Sequence, residues 1–493
     1  MTDVAGQGKP PSEGSLLGRS SSLASLAFYG GMLAVGAAVF WAVRAQGETL
    51  VAPHVELAAT AAAATHPATF AHVLVAMAVI VLAARATGWA FERWLGQPPV
   101  MGEIVAGILL GPSVLGAISP AAQAFVLAPD AAPHLGIVAK IGVVLFMFLV
   151  GLELDTRLLR GSTHATVAIS HASIVVPFVL GTILATYLYP RYSSDTVSFT
   201  TFALFTGVSL SVTAFPVRAR ILTDRRVSGT PLGVTAIACA AVDDVTAWCL
   251  LAIVSGVATS QVHGIAWTLG LVALYVTVMF LVARPLLRRL AAREEKRHGP
   301  VSLEILAVVF ACVLVSAVCT EAIGIHALFG AFLVGALMPH DGRLADQLRA
   351  RLEDVVVVLL LPVFFAFTGM RTQIGLVGSA TDAIATLGII GVATLGKFGG
   401  TLVAARFAKL GWRESSALGI LMNTRGLMEL IVLNVGLDMG VLSPRLFTMF
   451  VLMAVATTFA TTPIFGAITR GLPSLRPSSP GTAPAVGPVA AED

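Results

Sequence analysis

Two adjacent aspartates, Asp243 and Asp244, lie in the middle of a long run of apolar and small residues. One charged carboxylate at the centre of a bilayer costs about 3 kcal/mol, and two neighbouring ones repel each other. Neighbours on a helix point about 100 degrees apart, so the two carboxylates face different partners and can do different jobs. Such groups can bind a small cation or carry a proton. The alternative is that both lock their helix to its neighbours by hydrogen bonds.

A single lysine, Lys397, interrupts a second apolar run at the string LGKFGG. Gly396 and Gly400 form a GxxxG face that lets a neighbouring helix come close, so the buried ammonium can meet a carboxylate. Asp243 is the expected partner, because a nearby carboxylate decides how readily a desolvated lysine releases its proton. The alternative is an ion pair that never changes its protonation.

Two short strings, SLSVTAFP and NTRG, bring proline, glycine and hydroxyl residues into apolar runs. They contain Thr213, Phe215 and Pro216 in the first case, and Asn423, Thr424 and Arg425 in the second. Such residues free backbone groups that protein or water must satisfy, since lipid cannot. Both strings therefore predict broken helices. Arg425 and Glu429 stand four residues apart on one helical face, so they can pair and brace the second break; contact with an ion path is left open.

Composition predicts an integral membrane protein. Of the 493 residues, 56% are hydrophobic and 12% are charged, and the mean hydropathy is +0.88. That charged fraction is about half of the value for a globular domain. The four cysteines and ten histidines show no ligand spacing, so neither a cofactor nor a bound transition metal is expected. The net charge of +4 is spread over separate loops, and no nucleic-acid partner is expected.

Apolar runs of the roughly 20 residues that a membrane span needs recur along the chain. A leading helix is predicted over residues 26–43, after a cytoplasmic tail 1–25 and before an external loop 44–67. The alternative for segment 26–43 is a cleaved signal peptide. Thirteen core helices are predicted at residues 68–93, 100–118, 134–155, 164–189, 199–222, 229–258, 263–289, 302–320, 323–339, 354–370, 382–408, 414–437 and 444–470. Residues 471–493 read as a disordered cytoplasmic tail.

The core helices divide into six, one connector and six. The first repeat covers residues 68–258, the connecting helix and a basic cytoplasmic loop cover 259–300, and the second repeat covers 301–470. Because the connector is a single span, the second repeat starts on the opposite side of the membrane and is inverted. Inverted repeats with a broken helix in each half are typical of secondary transporters, whose site lies near the midplane.

Basic residues indicate the orientation, because they accumulate on the cytoplasmic side. The predicted inner side contains Lys9, Arg19, Arg157, Arg160, Arg218, Arg220, Arg225, Arg226, Arg284, Arg288, Arg289, Arg293, Lys296, Arg297, Arg343, Arg349, Arg351, Arg406, Lys409 and Arg413. The outer side contains only Arg44, Arg191, Arg371 and Arg445. Both termini are therefore expected inside. Lys140 is close enough to its helix start to extend outward, and Glu103 is expected at an interface.

Five strings resemble, in the same order, motifs of the second family of monovalent cation:proton antiporters, over roughly residues 70–470. They are PPVMGEIVAGILLGPSVLG (98–116), FMFLVGLELD (146–155), SVTAFPVRARIL (211–222), VDDVTAWCLLA (242–252) and NTRGLMELIVLNVGL (423–437). That family includes bacterial sodium/proton antiporters, potassium/proton exchangers and plant cation/proton exchangers. The resemblance implies an all-α membrane fold with six-helix inverted repeats, two crossed broken helices and thirteen core helices, here preceded by one extra helix.

The resemblance also implies roles for single residues. Asp244 matches the aspartate that binds the ion and the proton. Asp243 matches the aspartate that precedes it in electrogenic members, and Lys397 matches the lysine that pairs with that preceding aspartate. Thr213 and the local backbone match the crossing that completes the alkali-cation site at Asp244. The family is typically homodimeric, in the cell membrane, which is the inner membrane in bacteria. Two departures are the extra N-terminal helix and the missing nucleotide-binding domain of potassium-efflux members, so nucleotide gating is not expected.

The sequence therefore predicts a transporter rather than an enzyme, which exchanges Na⁺ or K⁺ for protons by alternating access and moves net charge. A sodium-coupled symporter of similar fold is the closer alternative, but it would need a larger polar cavity. An intramembrane aspartyl protease needs two aspartates that face each other from different helices, whereas Asp243 and Asp244 are adjacent on one. A passive channel would leave the titratable Asp/Asp/Lys set without a role.

Overall fold

The computed structural model describes residues 22–50, 69–128, 130–153, 164–225, 227, 230–259, 265–297, 301–339 and 342–470, and these residues are almost entirely helical. The helices are α1 Ser22–Gly47, α2 Thr69–Leu95, α3 Pro99–Leu110, α4 Leu115–Ile118, α5 Pro120–Val126, α6 Ala132–Glu153, α7 His164–Tyr192, α8 Phe199–Ser211, α9 Phe215–Asp224, α10 Pro231–Thr259, α11 Ile265–Val278, α12 Arg284–Glu295, α13 Leu303–Ile323, α14 Ala327–Leu337, α15 Arg343–Val355, α16 Leu361–Arg371, α17 Ala380–Thr394, α18 Gly400–Phe407, α19 Trp412–Met422, α20 Leu427–Asp438 and α21 Pro444–Thr469. Five-residue π-helical turns join α11 to α12, α15 to α16 and α17 to α18.

The predicted multi-pass membrane architecture is confirmed. Within the described residues, ten helices are long and apolar enough to cross a membrane, and the bent pair α19 and α20 would make eleven. Two shorter apolar helices, α8 and α14, add to these. The predicted total of thirteen core helices and one extra helix stays a prediction, as does the division into repeats.

The N-terminal helix is longer than its predicted bounds. Helix α1 begins at Ser22 and ends at Gly47, so it covers the predicted segment 26–43 and takes four residues from the expected loop 44–67. Apart from residues 22–25 and 44–50, the predicted tail 1–25 and that loop lie outside the described residues. The predicted tail 471–493 lies outside them as well.

The two predicted helix breaks are present. Helix α8 ends at Ser211, three non-helical residues follow, of which Val212 and Ala214 are extended, and α9 begins with a proline in its first turn. A proline suits that position because its missing amide would have no helical partner there. Helices α19 and α20 form a pair bent by 42° around residues 423–426. The backbone is therefore locally unwound at two places between apolar helical segments.

Helix α7 packs tightly against the π-helical turn that contains Lys397. A methyl group added at Gly396 would lie 2.7 Å from the Cα of Pro177, and one at Gly400 would lie 2.9 Å from the carbonyl oxygen of Ala172. The GxxxG face predicted for this segment thus faces α7, and only glycine leaves room for the contact. This close approach brings the lysine toward the polar side chains of α7.

Candidate functional site

The two helix breaks touch each other. The backbone amide of Ala214 donates a hydrogen bond to the carbonyl oxygen of Thr424 over 3.1 Å. A methyl group at Gly426 would lie 3.3 Å from the Cβ of Ala214 and 3.0 Å from the side chain of Val217, so the two breaks are packed closely at this glycine. The unwound segments therefore form one crossing, in which each break supplies polar backbone to the other.

Arg425 holds this crossing together. Its guanidinium donates hydrogen bonds to the carbonyl oxygens of Ser209 (3.1 Å) and Leu210 (2.8 Å), which are at the C-terminal end of α8. It also donates to Glu429 over 3.0 Å, and both side chains are fully buried. The predicted Arg425–Glu429 pair is present. Because the arginine also satisfies the end of the other broken helix, the pair braces both breaks rather than one.

The backbone of the second break is fixed from two further sides. Thr458 of α21 accepts a hydrogen bond from the amide of Arg425 (2.9 Å) and donates its own to the carbonyl oxygen of the same residue (2.7 Å). Thr424 donates to the carbonyl oxygen of Leu421 over 2.8 Å. The side-chain oxygen of Asn423 is buried without a hydrogen-bond partner in the described part of the chain. The break thus keeps one free oxygen in the protein interior.

Asp243 is surrounded by hydroxyl groups. Ser170 of α7 donates a hydrogen bond to its Oδ1. Ser173, one turn later, lies 3.2 Å from Oδ2, and Thr213 of the first break donates to the same oxygen over 3.1 Å. The side chain is 1% exposed. These hydrogen bonds satisfy both oxygen atoms of the buried carboxyl group, which explains how the interior tolerates it.

Lys397 contacts Thr213 rather than Asp243. Its ammonium donates a hydrogen bond to the Thr213 hydroxyl, which in turn donates to Asp243. No ion pair within 4 Å joins Lys397 to either aspartate among the described side chains, so the predicted direct pair with Asp243 is absent. The reason is local: the first break places the short threonine side chain between them. Lysine, threonine and aspartate therefore form a relay.

Arg218 is a residue of the site that the sequence-based prediction missed. It was expected at the cytoplasmic surface, yet its side chain is 1% exposed, and Nη2 lies 3.9 Å from the Oδ2 of Asp243. Its Nη1 donates hydrogen bonds to the Met422 sulfur (2.7 Å) and to the carbonyl oxygen of Ala236 (3.3 Å). The available signal was its position in the first turn of α9, directly after the break, where a side chain lies at the depth of Thr213.

Asp244 differs from its neighbour. It is 6% exposed, and its Oδ1 is buried without a hydrogen-bond partner among the described residues. The charges of Arg218, Asp243 and Lys397 act on it. An open carboxylate oxygen in a buried site is a ligand for a hard cation or an acceptor for a proton. The described residues hold no group of three His, Cys, Asp or Glu side chains that could bind a metal, so any cation here would rely on hydroxyl and backbone oxygens as further ligands.

Four further residues singled out in the sequence, Phe215, Pro216, Glu103 and Lys140, can be compared with their predicted positions. Phe215 and Pro216 open α9, and their side chains lie outside the described part. Glu103 was expected at an interface, but it is buried, with Arg85 3.9 Å away, because α3 packs closely between α2 and α16. Lys140 is exposed and pairs with Asp438 over 2.8 Å; its outward direction stays a prediction.

Comparison with known proteins identifies related transporters. Residues 79–470 match the protein family described as sodium/hydrogen exchanger, transmembrane. The chain is 42% identical over 394 residues to the Na⁺/H⁺ antiporter NhaS4 of Synechocystis sp.. The aligned region covers 80% of this chain and 96% of that protein. It is 34% identical over 378 residues to the K⁺/H⁺ antiporter 1 of Saccharomyces cerevisiae, over 75% of this chain but only 43% of the yeast protein.

A solved structure supports the fold. The sodium/proton antiporter MjNhaP1 of Methanocaldococcus jannaschii superposes with a TM-score of 0.57, over 83% of this chain and 99% of that protein. Its sequence identity is 14%, so the likeness concerns the fold alone. The predicted antiporter architecture is confirmed at that level.

Proposed function

The chain belongs to the sodium/hydrogen exchanger family, and from this premise we propose that it exchanges Na⁺ or K⁺ for protons across a membrane, with Asp244 as the carboxylate that both cargoes use. The observation that carries the proposal is the buried Oδ1 of Asp244, which has no hydrogen-bond partner in the described structure. A buried polar atom without a partner is costly, so a site that binds an ion is the expected reason for it.

The cation site would be completed by oxygen atoms near the crossing. An alkali cation that leaves water needs several oxygen ligands in its place. Asp244 supplies a charged oxygen, the unwound backbone of the two breaks supplies carbonyl groups, and Thr213 supplies a hydroxyl. No larger organic substrate is required by this arrangement, which favours an ion as the cargo.

Competition for one carboxylate would couple the two fluxes. A protonated Asp244 has lost the charge that attracts a cation, and a cation bound there excludes the proton. The site would face each side of the membrane in turn, loaded with one cargo or the other. Exchange then follows without a separate gate, because the empty and doubly loaded states are disfavoured.

Net charge movement follows if Lys397 also releases its proton when the cation enters. In the proton-loaded site, Asp244 is neutral while Lys397 is charged. In the cation-loaded site, Asp244 is charged, Lys397 is neutral and one cation is added. Asp243 and Arg218 keep their charges in both states, so the two states differ by one elementary charge. Two protons would then exchange for one cation, and the cycle would be electrogenic.

The chain would act as a homodimer in a cell membrane, which is the inner membrane if the source is bacterial. This part of the proposal rests on the family resemblance. Cross-linking of the protein in intact membranes, at a concentration too low for random collisions, would give a dimer band. A monomer band alone would contradict it.

The test uses purified protein in sealed liposomes that contain a pH-sensitive dye. Adding Na⁺, K⁺ or Li⁺ outside should raise the internal pH, since the cation enters as protons leave. Choline chloride and protein-free liposomes are the controls. A dye response that is equal for choline and for every alkali cation would contradict the proposed exchange.

A further inference from the structure

Arg218 carries a charge whose role the proposed exchange does not explain. Its guanidinium stays protonated in proteins. Nη1 is used by Met422 and Ala236, whereas Nε and Nη2 are buried with no hydrogen-bond partner among the described residues. The nearest anion is Asp243, whose Oδ2 lies 3.9 Å from Nη2. A buried and unmatched cation is strongly destabilising, so this carboxylate must carry the compensating charge.

Asp243 is the more completely engaged of the two aspartates. Three hydroxyl groups, those of Ser170, Ser173 and Thr213, bind its two oxygens, and Arg218 approaches one of them from α9. Lys397 reaches it only through the Thr213 hydroxyl. The direct counter-charge of Asp243 is therefore the arginine. Asp244, by contrast, has an open oxygen.

We propose that Arg218 is a positioning residue that holds Asp243 as a fixed anion outside the ligand shell of the cation, so that Asp244 is the only one of the two carboxylates that binds the cargo. The proposal rests on the proposed function, since it assumes that Asp244 binds the cation. It divides the work of the adjacent carboxylates: one balances a permanent positive charge, and the other exchanges its cargo.

A purely structural role for Arg218 makes different predictions. As a brace, the arginine would join α9 to Met422 at the end of α19 and to the backbone of α10. Its loss would then reduce the amount of folded protein and the maximal rate, while the KM for the cation would stay the same. If Arg218 acts as a fixed charge, its loss would change the KM, because the charge changes the affinity of the site for the cation.

Charge removal gives opposite shifts for the two partners. Arg218→Gln leaves Asp243 uncompensated, and the more negative site should bind the cation more tightly, with a KM lower by roughly tenfold, the order expected for one charge acting at an effective dielectric constant near 20. Asp243→Asn leaves Arg218 uncompensated, and the KM should rise by roughly the same factor. In the double variant the two changes cancel, and the KM should return to within about threefold of the wild-type value.

The experiment measures exchange in liposomes as a function of Na⁺ and, in parallel, K⁺ concentration, at one alkaline pH where protons compete least. Wild type, Arg218→Gln, Asp243→Asn, the double variant and Arg218→Lys are compared, each normalised to the amount of reconstituted protein. Arg218→Lys keeps the charge and should restore a KM near that of the wild type. Met422→Leu removes only the sulfur acceptor, and its KM should stay within about twofold of the wild-type value.

Opposite shifts in the two single variants, cancelled in the double variant, are the expected result. Shifts in the same direction, or unchanged KM values with lower rates, would overturn the proposal. If Arg218→Gln alone fails to fold, Asp243→Asn is compared with the double variant. The uncompensated arginine is present only in Asp243→Asn, so its KM should be the higher of the two. A different result would contradict the proposed function, namely exchange by Asp244→Asn at the wild-type rate. If Asp244→Asn is inactive but the Arg218 variants keep the wild-type KM, only the role of Arg218 is refuted.

Discussion

The backbone amide of Ala214 donates a hydrogen bond to the carbonyl oxygen of Thr424 over 3.1 Å, and this bond joins the middles of two broken helices. In the membrane interior each break exposes backbone groups that lipid cannot satisfy. Here one break satisfies part of the other. Thr213, the residue before Ala214, donates a hydrogen bond to Asp243 over 3.1 Å, so the crossing is joined to the helix that carries both aspartates. The proposed cation site would use the oxygen atoms that remain near this crossing.

Thr213 is expected to be essential for exchange because its hydroxyl is the hydrogen-bonded link between Lys397 and Asp243. Thr213→Val keeps the shape but removes the hydroxyl, so the lysine loses its acceptor and Asp243 loses one donor. Leaving buried polar groups unpaired costs about 1–3 kcal/mol each, so the exchange rate at subsaturating cation should fall about tenfold or more. Thr213→Ser keeps the hydroxyl and serves as the control. Equal activity of the valine and serine variants would show that the relay is dispensable.

Arg425 is expected to determine the stability of the fold. Arg425→Gln leaves Glu429 buried without its partner and removes two hydrogen bonds to the end of α8. Breaking a buried ion pair costs about 3–5 kcal/mol, so the midpoint of thermal unfolding in detergent should drop clearly. Adding Glu429→Gln removes the orphaned charge and should recover part of the loss. A midpoint that is unchanged in the single variant would rule out the bracing role.

The voltage dependence of exchange tests whether Lys397 changes its protonation. For one net charge, each 100 mV contributes about 2.3 kcal/mol, which is roughly a fiftyfold bias in the sustainable ion gradient. A potassium-diffusion potential imposed on liposomes during exchange of Na⁺ for protons, with the Na⁺ and proton gradients clamped, should therefore drive the wild type. Lys397→Gln cannot release a proton there, so its exchange should ignore the potential. A wild type that is indifferent to voltage would refute the titrating lysine and leave one-for-one exchange.

Accessibility labelling tests the orientation. Single cysteines placed at Asp130 and Glu295 should react with a membrane-impermeant maleimide from opposite sides, the first from outside and the second from the cytoplasm. The native Cys249 and Cys319 are exposed and Cys312 is partly exposed, so the four native cysteines are replaced by serine or alanine first. Labelling of both positions from the same side would overturn the orientation and the inverted repeat together.

Much of the architecture was accessible from the sequence because membrane spans are encoded by long apolar runs. The helix breaks at Pro216 and Gly426 were also predictable, since proline and glycine interrupt a span in a recognisable way. The pairing of Arg425 with Glu429 followed from a spacing of four residues on one helix. These features depend on residues that are close together along the chain, so they can be recognised in one sequence.

The partners of Lys397 and Arg218 could not be predicted in the same way. The contact of Lys397 depends on how the π-helical turn between α17 and α18 approaches the first break, and that of Arg218 on how α9 approaches α10. No spacing along the chain reports that geometry. Arg218 in addition stands in a basic stretch with Arg220, Arg225 and Arg226, which the rule for cytoplasmic loops assigns to the surface. In the structure the side chain of Arg218 instead packs against α10 and against Met422 of α19, and these contacts bury it.

The central claim is that one carboxylate, Asp244, binds both the cation and the proton. The most direct measurement is cation-driven proton movement in liposomes that contain equal amounts of folded wild type, Asp244→Asn or Asp244→Glu. Asparagine keeps the shape of the side chain but has neither charge nor titratable proton, so exchange should vanish; glutamate keeps the carboxylate and should retain part of the exchange with altered cation preference. Cation-dependent proton movement by Asp244→Asn at a rate similar to that of the wild type would contradict the claim.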